Sequence, residues 1–151
     1  MAAWRGAALL RDWQTAYLLV NAAHILGIGL LFGAIATLDL RLLGAFRAVP
    51  LALFGPPLWR VAAMGLGLAA VTGFWLFTTR PGAYLENPAF LAKLGLIGAG
   101  LLNLAVLHLR APWRQALAGA PVAASVRAAA LVSLLAWIGT VVAGRWIGFL
   151  Q

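Results

Sequence analysis

The sequence predicts an all-α integral membrane protein, a bundle of four transmembrane helices joined by short loops. Three observations carry that prediction. The 151-residue chain is 64% apolar and only 9% charged, whereas a soluble domain carries roughly 45–50% apolar and about 25% charged residues. Its few charges divide it into long apolar blocks. Prolines and glycines cluster between those blocks.

Each span follows from the charge map. Asp12 and Asp39 enclose 26 uncharged residues and Arg60 and Arg80 enclose 19; Lys93 to Arg110 encloses 16 and Arg127 to Arg145 encloses 17. Crossing a hydrocarbon core takes about 20 mostly apolar residues at 1.5 Å each. The first two blocks suffice alone. The last two suffice if Lys93 and Arg145 enter their helices and extend their stems to the interface. The expected spans are 15–38, 58–79, 88–109 and 126–150. Asn87-Pro88 reads as an N-cap followed by proline at the first helical position. Pro50, Pro56 and Pro57 are expected to interrupt the chain before the second span, and Pro112 and Pro121 to separate the third from the fourth. The segment 40–54, apolar but broken by Gly44 and Pro50, reads as a connector in the interface. Trp4, Trp13, Tyr17, Trp59, Tyr84, Trp113 and Trp146 fall near helix ends, where amphipathic rings favour the headgroup zone. The first span is too long for a cleaved signal.

An even number of spans puts both termini on one side. The 39–60 and 110–127 segments hold six arginines, against five basic residues on the other side. The positive-inside rule then directs both termini away from the cytoplasm. The net charge of +8 is expected to meet lipid phosphates rather than nucleic acid.

In lipid, helices associate through close packing and interhelical hydrogen bonds. Small residues at four-residue spacing supply candidate grooves: Gly29 and Gly33; Gly65, Ala69 and Gly73; Gly95 and Ala99; Ala136, Thr140 and Gly144.

An ionisable or polar residue inside a span is a functional candidate. Tyr17, Asn21 and His24 share one face of the first span, with His24 near mid-membrane. A Thr72–Trp75–Thr79 stripe reaches comparable depth on the second. His24 reads either as an interhelical hydrogen-bonding group, as a ligand to haem or another cofactor, or as part of a proton relay. Lys93 and Arg145, entering from the same side, complete a candidate pocket with Tyr17, Asn21, His24 and Thr72 for a small anionic or polar ligand. Glu86 reads as their counter-ion. Asp39 opposes the dipole at its helix C-terminus and reads as a structural ion pair with Arg41, Arg60, Arg110 or Arg127. His108 lies about 15 Å from His24 in depth at 1.5 Å per residue, so the two are not expected to clamp one haem.

The absence of cysteine excludes disulfides, thiolate zinc sites and a Cys nucleophile. Two histidines are too few for a protein-built metal centre without carboxylate help. Copper lacks sulfur ligands beyond Met1 and Met64. Ser125 and Ser133 have no nearby His–acid set, so no catalytic residues are assigned.

The run Asn21-Ala-Ala-His24-Ile-Leu-Gly27, then Asp39-Leu-Arg41-Leu-Leu-Gly44, resembles the opening of an uncharacterised bacterial four-span family, itself distantly similar to the membrane part of copper-resistance D-type proteins. Thr72-Gly73, Tyr84-Leu-Glu-Asn87-Pro88-Ala-Phe90 with Lys93, Asn103 with His108, Ser133, Trp137 and Gly144-Arg145 fit the same pattern. The resemblance implies a bacterial inner-membrane location, and no established activity comes with it. The expectation is a non-enzymatic membrane protein whose polar stripe supports packing or a small ligand. Its alternatives are a haem- or redox-associated subunit using His24 and an oligomeric small transporter. Membrane lipid is the expected partner, with a homo-oligomer or larger membrane complex left open.

Overall fold

The computed structural model describes residues 4–149, so the last residue of the expected fourth span, Leu150, lies outside it, as does Met1. Among the described residues all regular structure is helical: α1 (Arg5–Asp12), α2 (Gln14–Leu43), α3 (Leu51–Phe77), α4 (Pro81–Leu85), α5 (Pro88–Leu109), α6 (Ala111–Leu117) and α7 (Ala124–Trp146), followed by a 3₁₀ turn at Ile147–Phe149. Four helices (α2, α3, α5 and α7 with its turn) are long and apolar enough to cross a bilayer.

Two boundaries differ from expectation, both because the chain stays helical further. The segment 40–54 is not a connector. Leu40–Leu43 is the last turn of α2, and Leu51–Phe54 is the first turn of α3. Between them the chain reverses at Gly44, whose φ of 120° few other residues adopt. The Gly44 and Ala45 amides there bond to the Arg41 and Leu40 carbonyls, the 5→2 and 6→1 pattern that closes a helix end. Pro56 and Pro57 lie inside α3 rather than ahead of it. They sit in its second turn, where they deprive only the Ala52 and Leu53 carbonyls of partners, and both of those residues are exposed at the helix end. Asn87 caps α5 as expected, accepting from the amides of Ala89 at 3.0 Å and Phe90 at 3.3 Å.

The short helix α1 has no counterpart in the hydropathy pattern. It buries Ala7 and Leu10, the latter against Ala16 and Leu76. Trp75 Nε1 donates to the Gly6 carbonyl at 2.9 Å and fastens α1 to α3.

The long helices pack in the order α3–α2–α7–α5, and the fourth side, between α3 and α5, has no comparable helix packing. The two meet at the end that carries the termini, where Phe77 stacks on Phe90 at 5.6 Å with Tyr84 beside them. At the other end, α6 lies between them, with Trp113 and Ala116 joining a core of Leu42, Leu51, Leu107, Val126 and Ala130.

Close approaches follow the small-residue pattern on α3, at Gly65, Ala69 and Gly73, and differ from it on α2 and α5. A Cβ on Gly65 would meet the Leu31 amide at 2.5 Å, and one on Gly27 the Ala69 amide at 2.8 Å, so α2 and α3 touch backbone to backbone. Gly29, Gly33 and Gly95 face open space. On α5 the close contact is Gly100 against the Trp137 ring rather than Gly95 with Ala99. Only 11–28% of the residues in each apolar window are buried. Most of the remaining apolar side chains of these helices point outward.

Candidate functional site: polar contacts between the long helices

Polar side chains join each adjacent pair of long helices. Between α2 and α3, His24 Nδ1 lies 3.1 Å from Thr72 Oγ1. The Thr72 hydroxyl has one proton, and it is committed to the Leu68 carbonyl at 2.6 Å. Oγ1 therefore accepts, and His24 donates from Nδ1. The Ala69 backbone also acts on the ring. Gly73 makes room for the imidazole: a Cβ there would lie 2.8 Å from His24 Cε1.

Lys93 of α5 lies within electrostatic range of His24. Its side chain runs along α7, and a Cβ on Gly144 would lie 3.6 Å from its Cε and Nζ. The pair His24 and Thr72 expected from sequence is thus assembled, with Lys93 in range.

The other proposed pocket members are not part of it. Tyr17 and Asn21 are exposed, although their spacing puts them on the same face of α2 as His24. Arg145 is exposed and places its guanidinium over the Phe149 ring at 5.3 Å. Glu86 is exposed and has no ion-pair partner among the described residues, so it is not a counter-ion to Lys93 or Arg145. Its neighbour Asn87 is the buried group there, reaching the Ile147 carbonyl at 3.4 Å.

The second contact joins α2 to α7. Asp39 is only 5% exposed and meets the Ser133 hydroxyl. Its Oδ2 has no hydrogen-bond partner, and no arginine reaches it. The expected ion pair fails because α2 continues to Leu43 and turns Asp39 inward. Arg41, two residues on, instead donates to the Val49 carbonyl at 3.0 Å across the reversal. Ser133 is nine residues into α7, about 14 Å at 1.5 Å per residue, so Asp39 projects well inside the bundle.

The third contact joins α5 to α7. Asn103 Nδ2 donates to the Ala129 carbonyl at 2.9 Å. In the sequence, Ser133 and Asn103 are polar residues among apolar ones. Their position within apolar spans is the signal that marks them.

His108 bonds its own helix through the Leu104 carbonyl at 2.9 Å and tilts against Trp113 at 4.9 Å. It stands near the α6 end, and His24 near the end with the termini. Thr72, bonded to His24, and Trp59, beside the cavity that His108 lines, are thirteen residues apart on α3, about 20 Å. One haem cannot take both imidazoles of this chain. Among the described residues, no group of three or more His, Cys, Asp or Glu side chains is placed to hold a metal ion.

Comparisons with protein-family models, with curated proteins and with solved structures find no match.

Proposed function

We propose that the chain is a non-enzymatic integral membrane protein of four spans, whose intramembrane polar groups fasten one helix to the next. The carrying observation is the distribution of those groups. Each contact in the α3–α2–α7–α5 series has one interhelical polar contact: His24 with Thr72, Asp39 with Ser133, and Asn103 with the Ala129 carbonyl. In hydrocarbon an unsatisfied polar group is costly, so such pairs hold helices in register. The outward apolar surface of all four long helices supports the lipid environment. The basic-residue balance and the resemblance to a bacterial four-span family support an inner membrane with both termini on the periplasmic side.

The test is stability and spectrum together. In detergent, His24→Ala and Asn103→Ala lower the thermal midpoint while the purified protein shows no Soret absorbance. A Soret band lost in His24→Ala would replace this reading with the haem-associated one.

One atom favours a second reading, a transporter linked to a proton or small cation. Oδ2 of Asp39 is buried and unpartnered, and an embedded acid in that state marks an ion path in many membrane proteins. Proteoliposomes carrying a pH-sensitive dye test it. A proton flux abolished by Asp39→Asn supports this reading, and no flux in either protein discards it.

A further inference from the structure

A slot of 240 Å³ lies between α5 and α7 at the α6 end of the bundle. Three polar side chains line it among aliphatic ones. Arg110 and Ser125 stand where α5 ends and α7 begins. Asn103 lines it seven residues before Arg110, about 10 Å further in at 1.5 Å per residue. Among the described residues no acid lines it. The Arg110 guanidinium and the Ser125 hydroxyl have no hydrogen-bond or ion-pair partner among the described residues. Asn103 gives one Nδ2 proton to the Ala129 carbonyl, which leaves its second amide proton free to donate.

We propose that this slot seats the phosphate and glycerol-ester region of one anionic glycerophospholipid. The phosphate meets Arg110 and Ser125, and an ester carbonyl accepts from Asn103. This rests on the membrane reading above. Size selects part of a larger ligand, because pockets that enclose a whole small molecule measure about 300–1,000 Å³. The slot also opens outward: Val106 on α5 and Val132 on α7, both on its walls, are 39% and 52% exposed. A molecule seated there keeps its remainder in the surrounding hydrocarbon.

The order of chemistry along the slot selects the lipid. A guanidinium and a hydroxyl at the mouth match phosphate oxygens, which an arginine fork holds by paired hydrogen bonds. An amide donor further in matches an ester carbonyl, and the aliphatic walls match the start of an acyl chain. A soluble phosphate ester would use the mouth alone. The missing acid selects the headgroup, since a choline cation would find no carboxylate while Arg110 favours net negative charge.

The probes are phosphatidylglycerol and phosphatidylcholine added to the detergent-purified full chain, read by native mass spectrometry. The wild type is expected to retain one phosphatidylglycerol about fivefold more than phosphatidylcholine, roughly the worth of one arginine at an anionic surface. Arg110→Gln is expected to bring the two lipids to equal retention. Arg114→Gln, an exposed arginine outside the slot, is expected to leave the preference intact. Ala128→Phe, which fills the slot from α7, is expected to lose the bound lipid, with Val106→Phe as the second filling variant. Circular dichroism confirms that each variant folds, and the Arg110 and Arg114 pair decides the matter if neither filling variant does. Equal retention by the wild type, full retention in a folded filling variant, or equal losses in Arg110→Gln and Arg114→Gln would each overturn the proposal. Displacement of the lipid by glycerol 3-phosphate would also overturn it, in favour of a soluble phosphate ester. None of these outcomes touches the four-span topology, which is read by labelling and not by lipid.

Discussion

The His24–Thr72 and Asp39–Ser133 contacts sit fifteen residues apart on the same helix and differ in what they leave over. At His24 each proton is accounted for: the imidazole donates to Thr72, and Thr72 donates to Leu68. Nearby, α2 and α3 touch through Gly27 and Gly65. At Asp39 one hydroxyl meets a carboxyl group whose second oxygen has no partner. The first contact is a fastening. The second carries a surplus acceptor inside a bundle that holds only three acids in its whole sequence. The two polar contacts of the same helix therefore fasten it with unequal net gain, since the cost of a buried group without a full complement of partners offsets much of what its bond returns.

The largest way to break the comparison is to separate the helices that frame the satisfied contact. Gly65→Leu forces a side chain into the Leu31 amide and is expected to destabilise by about 3 kcal/mol, the upper end of overpacking. Gly29→Leu, facing open space, is expected to leave the midpoint unchanged. Thermal unfolding in a mild detergent reads both.

A change of sign sharpens it further. Asp39→Asn keeps a carbonyl oxygen for Ser133 and removes the carboxylate charge from the buried site, and is expected to raise stability by about 1–3 kcal/mol, measured by the same unfolding curve at neutral pH. A fall of that size would mean that an unseen cation or donor completes Asp39. His24→Ala is smaller and negative, about 1 kcal/mol, because Thr72 keeps its bond to Leu68. The smallest effect is at Glu86: Glu86→Gln should not move the midpoint, since among the described residues it has no ion-pair partner.

Much of the fold is legible in the amino-acid order. Long uncharged blocks locate the four helices, and Asn87-Pro88 locates a cap, because both depend on local chain chemistry. His24 with Thr72 follows from depth alone. Orientation around the helix axis does not. In a soluble helix the apolar stripe names the buried face, but these spans are apolar on every side. Nothing local distinguishes Gly27, which touches α3, from Gly29, which points away two residues later. Asp39 departs from expectation for a related reason. The hydrophobic block ends at the acid, whereas the helix runs on to Leu43, and that extra turn directs the carboxylate to Ser133 rather than to an arginine. Tyr17, Asn21 and Arg145 share an end of the bundle with His24 and Lys93 but are exposed rather than packed between helices.

The central claim, four crossings with the chain reversing at Gly44 and again around α6, is tested most directly by labelling single cysteines in a chain that has none of its own. Glu86→Cys, Arg47→Cys and Ala118→Cys lie in exposed segments between the long helices. With a membrane-impermeant maleimide on intact cells, the account predicts that position 86 reacts while positions 47 and 118 react only after the membrane is opened. Labelling of 47 and 118 on opposite sides, or of all three from one side, would contradict it.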